Sequence, residues 1–296
     1  QPDLFDPGLR DRLRYVSSHP YARSRPRDAY SPFVARQLRE AARTDLVGIE
    51  ARLRAGPRYD DVPDLEVAAH KAHLAIEARG TLKHRDAEWM ALYARRWNRS
   101  IVSPDFAMAL HGAHYLTSAD VVPLLVLFSL ETGLELECCK TLTIDCLRNA
   151  SGGTVEIAYT KLRAHGAEHK TIRVRDGAST TPGGLIRRII ALTAKARVHH
   201  ASDCLWVYYQ HGEITAGIRH PRMTIDAWTQ RHGIVDDAGR PLYLRLSHLR
   251  KTHKALWYLK TEGHIARFAV GHTAEIAARH YADIPALRPL HEQAVA

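Results

Sequence analysis

Residues 246–292 read LSHLRKTHKALWYLKTEGHIARFAVGHTAEIAARHYADIPALRPLHE, and the rest of the chain is organised around them. The stretch predicts a helix carrying Arg250, a turn at Glu262-Gly263, a Gly271-His272 pair and a last short helix bearing Tyr281. Arginine, histidine and tyrosine can together carry out phosphodiester chemistry. The guanidinium neutralises non-bridging oxygens, the imidazole donates a hydrogen bond to one of them, and the phenol oxygen attacks phosphorus.

The composition of the whole chain fits a polyanionic partner. At 296 residues it suits one large or two ordinary domains, and a formal charge of +10 points first to nucleic acid, whose phosphates reward scattered Lys and Arg through counterion release. A basic protein with no such partner is the alternative. The longest apolar run, Val121 to Leu130, contains Pro123 and is too short to cross a bilayer, so it reads as a buried helix. No basic segment followed by an apolar one opens the chain; unpaired cysteines and a nucleic-acid partner together give a cytoplasmic, nucleoid-associated protein as the expectation. The chain opens on Gln1, and the sequence leaves open whether residues precede it. Four cysteines (Cys138, Cys139, Cys146, Cys204) form no Cys-x-x-Cys pair and read as reduced core thiols, with no metal site expected.

Upstream of the C-terminal stretch the pattern is mostly helical. Residues 1–30 are rich in Arg, Pro and Asp and read as an arm that either tracks a DNA backbone or stays solvated. Ser31 followed by Pro32 starts a helix whose apolar stripe includes Phe33, Val34, Leu38, Ala42, Leu46 and Ile49, with Arg36, Arg39, Arg43, Arg52 and Arg54 mainly off it. Helices are also predicted from Leu65 to Ala78 and from Asp86 to Arg99, the latter burying Trp89, Met90, Leu92 and Trp97 and exposing Arg95 and Arg96. Residues 31–103 thus form either a DNA-clamping domain or an ordinary helical bundle. A linker is read at Ile101 to Ala113. Thr117 with Asp120 then opens an apolar helix, which Thr132-Gly133-Leu134 turns into a second one over Glu135 to Asp145. Thr154–Thr160 and Lys170–Val174 alternate as a hairpin. Helices at Leu185–Arg197 and Thr224–Gln230 and an extended piece at Leu205–Tyr209 complete the reading. The fold class that follows is mainly α, with a helical N-terminal domain and, over 114–296, an α+β domain holding a small antiparallel sheet.

Leu249-Arg250-Lys251-Thr252, then Gly271-His272, then Tyr281 nine residues after the histidine, resembles the C-terminal box of the tyrosine recombinase (phage integrase) family. The resemblance covers roughly Tyr115 to Ala296 and takes in Leu116-Thr117-x-x-Asp120, Thr132-Gly133-Leu134, Leu142 and the hairpin. It implies a site-specific DNA recombinase of mobile elements that cleaves and rejoins duplex DNA. Tyr281 would be the nucleophile forming a 3′-phosphotyrosyl bond, Arg250 and His272 would hold the phosphate, and Lys161 at the hairpin turn would protonate the departing 5′ oxygen. Lys251, Arg163, Lys170, Arg95 and Arg96 would contact DNA. No cofactor is implied, because the phosphotyrosine keeps the energy of the broken bond. A homo-tetramer on two synapsed sites is implied as well, with the tail Pro285 to Val295 either docking on a neighbouring subunit or folding back on its own domain.

Two positions depart from the family pattern. Glu135 follows Thr-Gly-Leu where the family has the first of its two phosphate-clamping arginines, and Ser247 stands where it usually has histidine. Losing one such donor typically costs on the order of 10²–10³ in rate, roughly 3–4 kcal/mol. His248 is one residue late, and a one-position slip turns a helical side chain by about 100°. Two readings stay open: an active but divergent recombinase, with Arg148 or Arg163 approaching the phosphate instead, or a recombinase-fold DNA-binding protein whose cleavage is weak or lost.

Overall fold

The computed structural model describes residues 29–57, 63–96, 104–161, 168–218 and 222–260. Arg163, His272, Tyr281 and the tail Pro285 to Val295 lie outside the described residues, as do nearly all of the N-terminal arm and the side chains of Arg95 and Arg96.

Most of what is described is helical, and the first element already shows how the molecule is held together. Helix α1 spans Pro32–Ala55, with Ser31 as N-cap accepting from the Val34 N–H at 3.2 Å and Pro32 at the first position, where a missing N–H costs nothing. Its stripe from Val34 through Leu38 to Ile49 is buried, whereas Phe33 is half exposed, contrary to the stripe read from the sequence. That stripe packs against α5 (Ser118–Thr132) in one hydrophobic core that continues through α6 (Leu136–Lys140), α7 (Pro182–Arg197), α8 (Arg222–Arg231) and α9 (Leu246–Lys260). Polar side chains on the flanks of α1 then lock it down. Arg52 reaches both carboxylate oxygens of Asp120 at 3.2 and 2.7 Å, Arg39 meets Glu131 at 2.8 Å, and Glu50 takes a two-pronged contact from Arg188 at 2.6 and 2.8 Å. Asp45 accepts from the Trp228 indole at 2.7 Å and from Arg231 at 2.7 Å. Three of the arginines expected on an outward basic face, Arg39, Arg43 and Arg52, are thus engaged with carboxylates of the core.

A second core joins α2 (Pro63–Arg79) and α3 (Ala87–Arg96) to α4 (Pro104–Gly112) and a hairpin of β4 (Val207–Gln210) and β5 (Glu213–Ala216). Trp89 and Leu92 are buried there, while Met90 is half exposed rather than buried as expected. The segment read as a linker contains α4. Three histidines sit inside this core. His111 Nδ1–H donates to the Ala107 carbonyl at 2.8 Å and its Nε2 accepts from the Leu82 N–H at 3.0 Å, an arrangement that only the neutral ring can make. Lys195 donates to His114 Nδ1 at 3.2 Å, so His114 Nε2–H is left to donate to His73 Nδ1 at 2.7 Å. Burial pushes all three imidazoles down to about 4.

The sheet has three antiparallel strands rather than two: β1 (Leu147–Ser151), β2 (Thr154–Thr160) and β3 (His169–Arg175), in that order. The β2–β3 pairing puts Tyr159 opposite Lys170 and Thr160 opposite His169. The helix expected over Glu135 to Asp145 stops at Lys140, because the chain must turn there to enter β1. Cys138, Cys139 and Cys146 are buried free thiols; burial raises Cys139 to about 12 and Cys146 to about 11, so neither is poised as a nucleophile.

Candidate functional site

Arg250 is held by the way α9 seats on the end of α5. Leu249 and Thr252 are fully buried, and the Thr252 hydroxyl donates to the His248 carbonyl at 2.9 Å while accepting the Tyr30 N–H at 2.9 Å. The next residue, His253, donates its Nδ1–H to the Leu130 carbonyl at 2.7 Å, satisfying one of the acceptors that every helix leaves orphaned at its C-terminus. Burial drives this ring down to about 4 and keeps it neutral. The contact needs Gly133, which ends α5 in the left-handed region at φ 67°. A Cβ there would lie 2.5 Å from His253 Cδ2, so a bare backbone is what lets the imidazole in. Gly133 thereby does two jobs: it seats α9, and it reverses the chain so that Leu134 is buried and Glu135 follows at the N-cap of α6.

Lys161 reaches the same place from the sheet. It follows β2 directly, and its N–H donates to the Glu168 carbonyl at 2.8 Å across the hairpin. Its ammonium lies 3.8 Å from Glu135 Oε1, and Arg250 Nη1 lies 3.5 Å from that same oxygen. The three side chains are 32%, 18% and 28% exposed for Lys161, Arg250 and Glu135, so the cluster is partly screened from water yet open at one side. Two cations from elements far apart in sequence therefore converge on one carboxylate oxygen. In chemical terms this is a small anion seat, already carrying an anion of its own.

The other expected residues divide clearly. Lys251 is half buried on α9, and Lys170 is half buried on β3. Ser247 is exposed in the first turn of α9, and the His248 ring packs at a tilt on Tyr30, with centroids 5.3 Å apart. Arg148 does not join the seat: it lies on β1 opposite Glu156 and pairs with Asp145 at 3.7 Å.

One residue was missed. Lys254, one turn past Arg250, is 6% exposed, and burial followed by repulsion from Arg250 lowers its ammonium to about 8. Its signal in the sequence was its place among Leu249, Thr252, Ala255 and Leu256, on the face that α9 buries. It lines a cleft of about 270 Å³ together with Arg39, Arg173, Arg175, Trp257 and Lys260. No group of three or more His, Cys, Asp or Glu suited to a metal ion occurs among the described residues, and no described helix is long and apolar enough to cross a membrane.

No protein-family model and no curated protein matches the sequence. Among solved structures, the chain is similar to the XerH site-specific recombinase in a post-cleavage complex with palindromic difH substrate, at TM-score 0.39 and 16% identity, over 60% of this chain and 48% of that one, about half its length. It is also similar to XerH in a pre-cleavage complex with difH, at TM-score 0.38 and 12% identity, over 88% of this chain and 94% of that one.

Proposed function

We propose that this chain binds duplex DNA and acts on it as a tyrosine-type strand transferase. Arg250 and Lys161 face the scissile phosphate, while Tyr281 and His272 complete the site. The observation that carries the reading is the convergence of Arg250 and Lys161 on one point, within 3.5 and 3.8 Å of the same oxygen. The chemistry assigns each group a task. The Tyr281 oxygen attacks phosphorus as its proton passes to solvent, and the bond to the 5′ oxygen breaks as the Lys161 ammonium hands that oxygen a proton. The Arg250 guanidinium and His272 meet the charge that develops on the non-bridging oxygens. Lys251, Lys170, Arg163, Arg95 and Arg96 contact the DNA backbone, and the protein works in the cytoplasm, at the nucleoid, as a homo-tetramer on two synapsed sites. Rejoining reverses the same steps, so neither a metal nor a nucleotide enters.

A second reading has an observation of its own. Glu135 places a negative charge inside the seat, which suits a DNA-binding protein of recombinase ancestry with weakened or lost cleavage. A duplex carrying a nick beside the target phosphate separates the two. The released fragment diffuses away, so a cleaving protein is trapped as a covalent adduct. The expected outcome is an adduct that Tyr281→Phe abolishes while binding is unchanged; tight binding with no adduct selects the second reading.

A further inference from the structure

The structure assigns Glu135 a role of its own: we infer that it is an internal counter-anion, seated where a substrate phosphate would go and displaced when one arrives. This rests on the reading of Arg250 and Lys161 as phosphate ligands. It concerns how the seat is kept when empty and what must leave when it fills.

Three observations support it. The first is position. Gly133 turns the chain and Leu134 is buried beneath, so the extended backbone at Glu135 (φ −68°, ψ 148°) carries its carboxylate out between α9 and the end of β2. The second is distance. Three of the ion pairs that fasten α1 are short, at 2.7 Å for Arg52–Asp120, 2.6 Å for Arg188–Glu50 and 2.8 Å for Arg39–Glu131, while Arg43–Glu131 is 3.4 Å. The contacts of Arg250 and Lys161 with Glu135 are 3.5 and 3.8 Å, longer than a charge-assisted hydrogen bond. The carboxylate thus offsets the charge of both cations from just beyond hydrogen-bond contact, on the side from which a phosphate would meet them. The third is charge balance. Arg250 and Lys161 both approach one carboxylate oxygen, and without that anion the two cations would repel one another in a partly desolvated site.

An incoming phosphate brings its own negative charge to the two cations. Two anions cannot share the seat, so the carboxylate must withdraw or take up a proton, and its departure subtracts from the affinity. Glu135 is therefore a positioning residue in the empty site and a competitor in the filled one.

Removing the charge while keeping the shape tests this. Wild-type protein, Glu135→Gln and Glu135→Asp are compared, after circular dichroism has established that each folds, with inorganic phosphate and with a duplex oligonucleotide as separate probes. Glu135→Gln is expected to bind phosphate about tenfold more tightly, as removal of one like charge at contact range implies. It should also bind duplex more tightly, with a log K against log salt slope steeper by about 1 to 2 for the two released cations. Glu135→Asp should stay near wild type, and adding Arg250→Gln to Glu135→Gln should erase the gain. If Gln impairs folding, Glu135→Ala serves in its place with the same expectations. Equal or weaker phosphate binding by the neutral variant overturns the inference. A gain for phosphate with no duplex binding by either protein leaves the counter-anion standing and removes the DNA reading. Duplex binding by both with no gain does the reverse.

Discussion

Replacing Gly133 with alanine should cost far more than a surface methyl normally does, and the structure gives the size of the effect. At φ 67° an L-residue sits in the left-handed region, which costs roughly 1–2 kcal/mol. The new Cβ would also lie 2.5 Å from His253 Cδ2, a distance at which one partner must move. If the imidazole moves, it gives up its hydrogen bond to Leu130 O and leaves a buried acceptor unsatisfied, worth about 1–3 kcal/mol. Together the two effects amount to about 2–5 kcal/mol, a large share of the 5–15 kcal/mol typical of a folded domain. Urea denaturation followed by circular dichroism measures it, provided the slope m is unchanged between variants. A double-mutant cycle separates the two contributions. In a His253→Ala background the clash has no partner, so Gly133→Ala should cost only the backbone part, and the coupling should favour the double variant by at least about 1 kcal/mol. A single substitution within about 0.5 kcal/mol of wild type would refute the reasoning, as would strict additivity in the cycle.

Acid should unfold the protein early. The unfolded histidine titrates near 6.5, whereas His73, His111, His114 and His253 titrate near 4 in the fold. The unfolded chain therefore binds more protons between these values, so stability is full above about 6.5 and drains away as pH falls toward 4, by up to the order of 3 kcal/mol for each independent ring. His73 and His114 share one hydrogen bond and count together as less than two; urea midpoints flat between pH 7 and pH 4.5 would contradict the account. Leu38→Ala, in the fully buried stripe of α1, should cost about 2–5 kcal/mol while unfolding stays a single transition, because α1 shares its core with α5 and α9. Two separate transitions in the melting curve of that variant would mean that α1 belongs to a unit of its own.

Local signals were legible in the sequence where one residue or a short pattern sufficed. Ser31-Pro32 marked the start of α1, Asp120 accepts the Thr117 N–H at 2.7 Å as its spacing suggested, and the alternation of β2 and β3 gave their pairing. Strand β1 left no trace because four of its five residues are exposed, so burial imposes no alternation. Helix α4 was hidden by its brevity. The stripe of α1 said that a face would be buried but not against what; that it meets α5 is a fact of tertiary packing. The same holds for the site. Arg250 and Glu135 stood out singly, the latter as a carboxylate out of place, yet nothing in a linear pattern says that Glu135 comes to rest between Arg250 and Lys161. That follows from how α9 seats on Gly133 and where the β2–β3 hairpin ends.

The bonds from Tyr30 to Thr252 and Arg245 have a consequence for how the molecule is made. The two ends of the Tyr30–Thr252 contact are 222 residues apart, and the Tyr30 hydroxyl also accepts the Arg245 N–H at 2.7 Å. At about 5–20 residues per second a ribosome needs roughly 10–45 s to deliver the second partner after the first. During that interval α1 can meet α5, but the side of the nascent core that α9 will cover stays open to water. Cutting the gene between these elements and expressing the pieces apart should thus yield aggregates, whereas co-expression would let the seam close.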